Sequence, residues 1–273
     1  MITCKNISFA YGAEQRMMLD DVSFEVASGT LCGIIGPNGA GKTTLLKLIT
    51  GILMPTKGRI IIDGKELVNY SRKQIAQILA VVPQSTYVPT LYTVEDVVAM
   101  GRYPHQKSRF FYSSEDRRII QEALAETGAS AFCGRLVSQL SGGERQEVII
   151  SRALAQQPKI LLLDEPIANL DIRHQLKILG LVRDLVITKK LTVLIVIHDL
   201  NLAARFCDNL VLIHNDKVFA QGTARGVLTE EIIRLTYQVS VKVEYCDATA
   251  SLAVTALSAL QESTSNLSQK ERL

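Results

Sequence analysis

The sequence predicts an α/β protein in which helices cover a mainly parallel central sheet. Short apolar runs alternate with helical patterns, as is typical of this class. The continuous runs at residues 31–35, 160–163 and 193–197 are the buried-strand candidates. A polar cluster follows each run, and ligands bind beyond the carboxyl ends of such strands. We therefore expect one ligand site, built where these strands end.

The composition indicates a folded chain without a nucleic-acid footprint. The chain has 273 residues, of which 47% are hydrophobic, enough for a large core and against disorder over most of the length. Its 30 Lys and Arg residues nearly balance its 27 Asp and Glu residues, which gives a formal net charge of +3. We expect no nucleic-acid partner, because that role would require a local basic patch.

The cysteines and the apolar runs indicate which kinds of site and which cellular compartment to expect. Five cysteines are scattered without C-x-x-C spacing, which predicts neither a disulfide framework nor a zinc site and fits a reducing cytosol. No run reaches the ~18 apolar residues of a membrane span, and the first residues lack the pattern of a signal peptide. We expect a chain that neither spans nor crosses a membrane. A mean hydropathy of +0.17 leaves room for an apolar contact surface.

Other patterns place further elements along the chain. Segments 2–9, 18–26 and 59–62 predict a small antiparallel β layer. A helical insertion is expected from about 93 to 128, with Thr93 and either Ser113 or Ser114 as helix caps.

The last third contains a helix, a hairpin and a weaker pattern. A helix is predicted from about 171 to 188, and Asn215-Asp216 predicts a hairpin turn. The pattern weakens after Tyr237, and residues 261–273 are polar enough to form a loose tail.

A glycine-rich motif follows the first buried strand. It fits G-x-x-x-x-G-K-[ST] and consists of Gly36, Pro37, Asn38, Gly39, Ala40, Gly41, Lys42 and Thr43. A predicted strand precedes it and an apolar helix follows, which is the context that the motif requires. Backbone N–H groups and the helix N-terminus would bind phosphates, and Lys42 would neutralise the outer ones. We predict a P-loop for a nucleoside triphosphate, with the Thr43 hydroxyl on Mg²⁺. The alternative is a turn that only caps a helix.

The second apolar strand ends in two carboxylates. Asp164 is suited to hold the metal ion with its water shell, and Glu165 to polarise an attacking water. An isolated Asp-Glu pair after a strand is more often an ordinary solvent-facing pair. The presence of the phosphate loop favours the catalytic interpretation.

Two more polar residues follow predicted strands. His198 follows residues 194–197 and is placed to contact the γ-phosphate and the attacking water. Gln84 follows Val81-Val82-Pro83 and can ligate Mg²⁺ or water. Taken singly, each also has a structural interpretation, as a hydrogen-bonding histidine and as a loop residue.

The motif Leu140-Ser141-Gly142-Gly143-Glu144 precedes an apolar helix. Ser141 and Glu144 have the spacing of a capping box, which needs no role beyond starting that helix. Two glycines in a first turn weaken a helix, however, and leave room for a group such as a phosphate at its N-terminus. The motif therefore supports a structural and a functional interpretation.

Together these motifs resemble those of the ATP-binding-cassette (ABC) ATPases, from about residue 2 to residue 237. The resemblance implies that Tyr11 stacks on adenine, that residues 36–44 including Thr44 bind phosphates, and that Gln84 joins Mg²⁺ to a helical subdomain. It implies that Ser141, Gly142, Gly143 and Glu144 close on a partner subunit's nucleotide, and that residues 168–171, ending in Asp171, cross the dimer interface. Asp164 resembles the metal-binding aspartate, Glu165 the catalytic glutamate and His198 the switch histidine.

The implied fold is a P-loop NTPase with a mainly parallel central sheet, an N-terminal antiparallel β layer and an inserted helical subdomain. One ABC ATPase domain is expected at 1–240, with the helical subdomain at about 85–157. Residues 241–273 are expected to form a C-terminal extension with a polar tail.

Two residues depart from the family pattern. Glu144 stands where the family most often has glutamine, and Ile167 follows Asp164-Glu165-Pro166 where threonine is usual. We expect neither to abolish hydrolysis, because Glu144 still fits a capping box and the missing hydroxyl has no assigned role.

The resemblance also implies an assembly. Two copies would sandwich two ATP molecules with Mg²⁺ at the cytoplasmic face of the cell membrane, beneath a dimeric integral membrane permease docked near Gln84 and the helical insertion. A periplasmic or extracellular substrate-binding protein would deliver the cargo. Residues 98–105 (VAMGRYPH) are similar to the ATPase subunits of importers for ferric siderophores, haem and cobalamin.

Other functions remain open at this stage. One is a small-molecule P-loop kinase, although it has no use for the Leu140–Glu144 motif. Others are a soluble ABC ATPase acting on ribosomes or DNA and a non-catalytic ATP-binding module. An exporter ATPase, or an importer ATPase for zinc, manganese or another metal species, shares the same motifs.

Overall fold

The computed structural model describes residues 1–12, 17–85, 91–106 and 112–260. Within them a six-stranded, mainly parallel sheet confirms the predicted α/β class. Its strands, in spatial order, are β10 (Lys217–Gly222), β9 (Asn209–His214), β3 (Leu31–Ile35), β8 (Thr192–Val196), β7 (Ile160–Asp164) and β6 (Leu79–Val82). Neighbouring strands are parallel, except that β10 runs antiparallel to β9. The tail predicted at 261–273 lies outside the described residues.

The N-terminal segments form a separate antiparallel sheet, as predicted. Its strands, in spatial order, are β2 (Leu19–Val26), β1 (Ile2–Phe9), β4 (Lys57–Ile62) and β5 (Lys65–Glu66). Buried side chains of this sheet pack against one face of the central sheet.

The α-helices that the structure describes lie between strands along the chain. The described α-helices are α1 (Lys42–Ile49), α2 (Arg72–Ile78), α3 (Val94–Ala99), α4 (Ser114–Thr127), α5 (Gly142–Ala155), α6 (Ile172–Lys189), α7 (Leu200–Phe206), α8 (Ala224–Val227) and α9 (Glu230–Tyr237). The side chains of Thr93 and Ser113 accept hydrogen bonds from the third residues of α3 and α4, which confirms Thr93 and selects Ser113 as caps. No α-helix within the described ranges is both long and apolar enough to cross a bilayer.

The central sheet is buried on both faces. Leu31 and Ile35 of β3 belong to the apolar cluster that includes α5 and α6. Cys32 and Ile34, which point to the opposite face, belong to the cluster that includes α1 and the N-terminal sheet. All residues of β3, β7 and β8 are buried, which explains why these strands are continuous apolar runs.

The hairpin predicted at Asn215-Asp216 joins β9 and β10. Both residues have left-handed backbone conformations, with φ of 47° and 65°. A tight two-residue hairpin turn of the type I′ class requires this geometry, which asparagine and aspartate tolerate better than most residues.

A second, C-terminal hairpin is not anticipated by the sequence analysis. It consists of β11 (Val239–Cys246) and β12 (Ser251–Ala259) and packs on α7 and α9. The Asn201 side chain accepts a hydrogen bond from Val254 N at 2.6 Å and donates one to Val254 O at 3.2 Å. Apolar and polar side chains alternate strictly over residues 239–245 of β11 (VSVKVEY), a strand signal that the sequence analysis did not use, whereas β12 (SLAVTALSA) has no such alternation.

The segment 98–105 ends in a 3₁₀ turn, Met100–His105, that is held against α4 and α5. The buried Arg102 guanidinium donates to Asp116 Oδ1 at 2.8 Å and to Ala155 O at 2.7 Å. A Cβ added to Gly101 would lie 2.1 Å from Arg152 O, which is backbone. The turn therefore packs directly on the main chain of α5.

We predict that Gly101→Ala lowers the free energy of unfolding by about 1–3 kcal/mol, because the turn and α5 must move apart. Urea unfolding followed by circular dichroism measures this change. The control is Gly180→Ala in α6, where an added Cβ meets nothing within 4 Å. That change is expected to be neutral or to stabilise by up to ~1 kcal/mol, since alanine is the better helix former. Equal effects of the two substitutions would contradict the packing described here.

Candidate functional site

The phosphate-loop motif connects β3 to α1, as its sequence context predicts. Gly36 has φ of 145°, and an added Cβ would lie 2.2 Å from Ile213 O on the neighbouring strand β9. Glycine is therefore required here by the fold itself. Gly41 stands at the start of α1 with φ of 92° and provides no side-chain cap. The first-turn N–H groups of α1 thus remain available to an anion.

Lys42 is the cation of this loop. Its side chain is buried, and the ammonium donates to Gly36 O and to Pro37 O, each at 2.7 Å. Burial lowers the pKa of Lys42, while the nearby carboxylates of Glu165 and Asp164 act in the opposite direction. The positive charge is thus held between the loop and the two carboxylates.

Thr43 and Asp164 place two oxygen atoms that could ligate a metal ion next to each other beside the loop. The Thr43 hydroxyl donates to Asp164 Oδ1 at 3.2 Å. Burial raises the pKa of Asp164, and the Thr43 hydrogen bond partly opposes this effect. A hydroxyl, a carboxylate and the nearby Gln84 amide are hard oxygen ligands, the kind that Mg²⁺ takes together with phosphate and water oxygens. These residues fit a magnesium ion shared with a nucleotide.

Glu165 lies at the centre of a hydrogen-bonded cluster. Gln84 Nε2 donates to Glu165 Oε2 at 2.8 Å, and His198 Nε2 bonds to Oε1 at 2.6 Å. Because a carboxylate only accepts, the histidine nitrogen is the donor. The three side chains follow the adjacent parallel strands β6, β7 and β8, so the strand order brings them together. Glu165 has φ of 51°, an unfavourable conformation that turns the chain sharply at the end of β7.

Tyr11 lies at the far end of the phosphate loop. Its hydroxyl is 3.0 Å from Thr44 Oγ1, and its ring packs edge-on against Phe9 with centroids 5.1 Å apart. About half of the side chain (51%) is exposed. This geometry leaves an aromatic surface beside the loop, suitable for stacking on a base.

A groove of about 730 Å³ opens beside residues 36–40 and includes His198. Part of its wall comes from residues that the sequence analysis did not assign to a ligand site: Met17, Met18, His214, Asn215, Asp216, Thr236, Tyr237 and Gln238. Burial raises the pKa of Tyr237 to about 12, so this phenol stays neutral. No local pattern marks these residues, because they reach the groove from three separate places: the residues just before β2, the hairpin between β9 and β10, and the end of α9.

The Ser141–Glu144 motif lies on a different surface. Its capping box is present: Ser141 N donates to Glu144 Oε2 at 2.8 Å, and Glu144 N donates to Ser141 Oγ at 3.4 Å. These hydrogen bonds lower the pKa of Glu144. The glycines lie against Leu170 and His174 of the same chain, and the motif is not part of the groove beside the phosphate loop. The structure therefore groups it with Asp171.

The two departures from the family pattern have simple structural roles. Ile167 is 7% exposed and packs in the larger apolar core, where a branched hydrocarbon side chain fits. Glu144 completes the capping box and lies 3.6 Å from the Arg135 guanidinium.

Comparisons with known proteins agree with these observations. A family model described as "ABC transporter" matches residues 19–168. Over 240 residues the chain is 43% identical to a cobalamin import ATP-binding protein of Halobacterium salinarum, covering 88% of this chain. Over 242 residues it is 39% identical to an iron(3+)-hydroxamate import ATP-binding protein of Bacillus subtilis, covering 89% of both chains.

A solved ABC transporter in an inward-facing conformation contains a similar chain, with a TM-score of 0.82 and 28% identity, covering 95% of this chain and 98% of that one. The chain spans only 60% of the length of the Halobacterium protein, whereas it covers most of the Bacillus protein. Motif order, fold and matches all agree, and the chain therefore belongs to the ABC transporter family.

Proposed function

We propose that this chain is the ATP-hydrolysing subunit of an importer for cobalamin or an iron–siderophore complex. The observation that carries the proposal is the cluster of Gln84, Glu165 and His198 beside a complete phosphate loop. Two relatives named for import of cobalamin and of iron(3+)-hydroxamate support the substrate class.

The cluster is suited to activate water. Glu165 accepts a proton from the attacking water. Gln84 and His198 hold the two carboxylate oxygens of Glu165 in place. Lys42 and the first-turn N–H groups of α1 stabilise negative charge on the transferring phosphoryl group. A magnesium ion on Thr43, Asp164 and Gln84 supplies further neutralisation of the phosphate oxygens when bound.

The first glycine of the Ser141–Glu144 motif supports action as a pair of copies. A Cβ on Gly142 would meet only Leu170 Cδ2, at an ordinary 3.7 Å, so the chain itself does not require glycine there. Glycine nevertheless costs a helix up to ~1 kcal/mol relative to alanine. A phosphate that is held by a second copy and approaches this helix N-terminus would explain why glycine is present at position 142. Ile172, 76% exposed, adds apolar area next to Asp171 on the same surface.

A second groove supports docking of a membrane permease. It has a volume of about 860 Å³, and its wall includes the apolar side chains of Ile52, Met54 and Val68, each more than half exposed. Leu79 and Val81 of β6 line the same groove, and β6 leads directly to Gln84. A permease seated here would be mechanically connected to Glu165. The subunit would then lie at the cytoplasmic face of the membrane, with the substrate-binding protein contacting only the permease.

We predict that Glu165→Gln leaves ATP binding within twofold of wild type and lowers turnover about 100-fold or more, since the amide cannot take the proton. Phosphate release and fluorescent-nucleotide binding measure the two quantities. Glu231→Gln, at an exposed position of α9, is the matched control and should turn over normally. Wild-type turnover in Glu165→Gln would remove Glu165 from this role.

We predict that Ile52→Glu reduces co-purification with the permease from native membranes at least tenfold, because a carboxylate cannot be desolvated against an apolar partner. Nucleotide binding by the isolated chain should be unchanged. Ile187→Glu is the control, because Ile187 is an exposed isoleucine of α6 outside this groove. If Ile52→Glu still co-purifies fully, the docking site lies elsewhere. If wild type recovers no membrane protein, the importer assignment fails.

A further inference from the structure

The imidazole of His174 lies directly against Gly143. A Cβ added to Gly143 would lie 2.2 Å from the Cδ2 atom of that ring and 2.7 Å from Nε2. Gly143 is buried in the first turn of α5, and His174 is in the first turn of α6. Glycine at this position is therefore explained within the chain, unlike glycine at Gly142.

The ring of His174 is held in place by Asp171. The Asp171 carboxylate accepts the His174 backbone N–H at 2.9 Å and the ring Nδ1–H at 2.8 Å. Because the carboxylate can only accept, the proton is on Nδ1. These hydrogen bonds also lower the pKa of Asp171. Two bonds to one carboxylate fix the orientation of the ring that supports Gly143.

An ion pair between a half-exposed lysine and a buried glutamate holds the same two helices together one turn further on. Lys177 Nζ lies 2.6 Å from Glu147 Oε1, and the Glu147 side chain is only 1% exposed. Residues 143 and 147 of α5 thus face residues 174 and 177 of α6. The contact between Gly143 and His174 is the end of this interface that carries Ser141 and Asp171.

We propose that His174 is a positioning residue that joins the turn Ser141–Gly143 to Asp171, so that the two move as one body when copies of the chain meet. The inference rests on the proposed function, which places both elements on the surface facing a second copy. In this arrangement a shift of residues 168–171 is transmitted to the helix N-terminus that approaches the partner's nucleotide.

The first test compares His174→Ala, His174→Asn and the exposed control Arg173→Ala in the complete transporter. His174→Ala should bind nucleotide within twofold of wild type and lower kcat about tenfold, because the fixed ring and its bond to Asp171 are lost. His174→Asn, whose amide can still donate to Asp171, should recover at least half of the loss. A wild-type kcat in His174→Ala, or no rescue by asparagine, would overturn the proposal.

The second test is a double-mutant cycle on kcat with Gly143→Ala. The added methyl group should lower kcat strongly in wild type but less than twofold further in the His174→Ala background, where the space is vacant. An equal loss in both backgrounds would show that a bound group, and not His174, requires glycine.

Amide hydrogen exchange separates this proposal from the proposed function. In the nucleotide-free chain, exchange at residues 141–144 and 168–172 should be faster in His174→Ala than in Arg173→Ala. If wild type hydrolyses no ATP, the proposed function fails while this readout still tests the coupling. Unchanged exchange in active protein would contradict the coupling alone.

Discussion

The parallel pairing of β6, β7 and β8 is the constraint on which the site depends. It places Gln84, Glu165 and His198 at adjacent strand ends, where both oxygens of the carboxylate receive a hydrogen bond. The strands are buried by two separate apolar cores, so a register shift would expose apolar side chains on both faces. The strands that lead to the cluster are therefore fixed by the two cores. Such rigidity is what water activation requires, since a misplaced base loses much of its effect.

The two proposed contact surfaces lie at the β6 edge of this sheet and outside it. The Ser141–Gly143 turn contacts Leu170 and His174. The groove that we propose as the permease docking site is formed where α2 and β6 meet the Met100–His105 turn. Three glycines of the nucleotide-binding motifs have structural explanations in close backbone or ring contacts: Gly36 with Ile213 O, Gly41 with Met18 O and Gly143 with His174. Gly142 has none of this kind. The contrast separates glycines that the fold requires from Gly142, for which we propose that a second copy's phosphate is the reason.

Much of this arrangement could be predicted from the sequence because the signals are local. The run at 31–35 predicts a strand, and the motif directly after it predicts a phosphate site within the same fifteen residues. Thr93 and Ser113 mark helix starts because their side chains bond to the first turns of those helices. The contact of Gly143 with His174 joins residues 31 positions apart and leaves no periodic trace. The hairpin of β11 and β12 was missed although the alternation of residues 239–245 marks β11 as a strand, and only β12 lacks that signal. Asn215 and Asp216 were predicted only as a turn, although they and His214 also line the groove beside the phosphate loop.

We infer that the Ser141–Gly143 turn of one copy completes the nucleotide site at the phosphate loop of another. A cross-linking experiment mixes chains carrying Asn38→Cys with chains carrying Arg145→Cys, an exposed position in the first turn of α5, and adds a short bis-maleimide in the presence of ATP and Mg²⁺. We expect a cross-linked dimer that requires both introduced cysteines and ATP and that exceeds the background from the native cysteines. No cross-link between the two chains, or a link within a single chain carrying both substitutions, would contradict this inference.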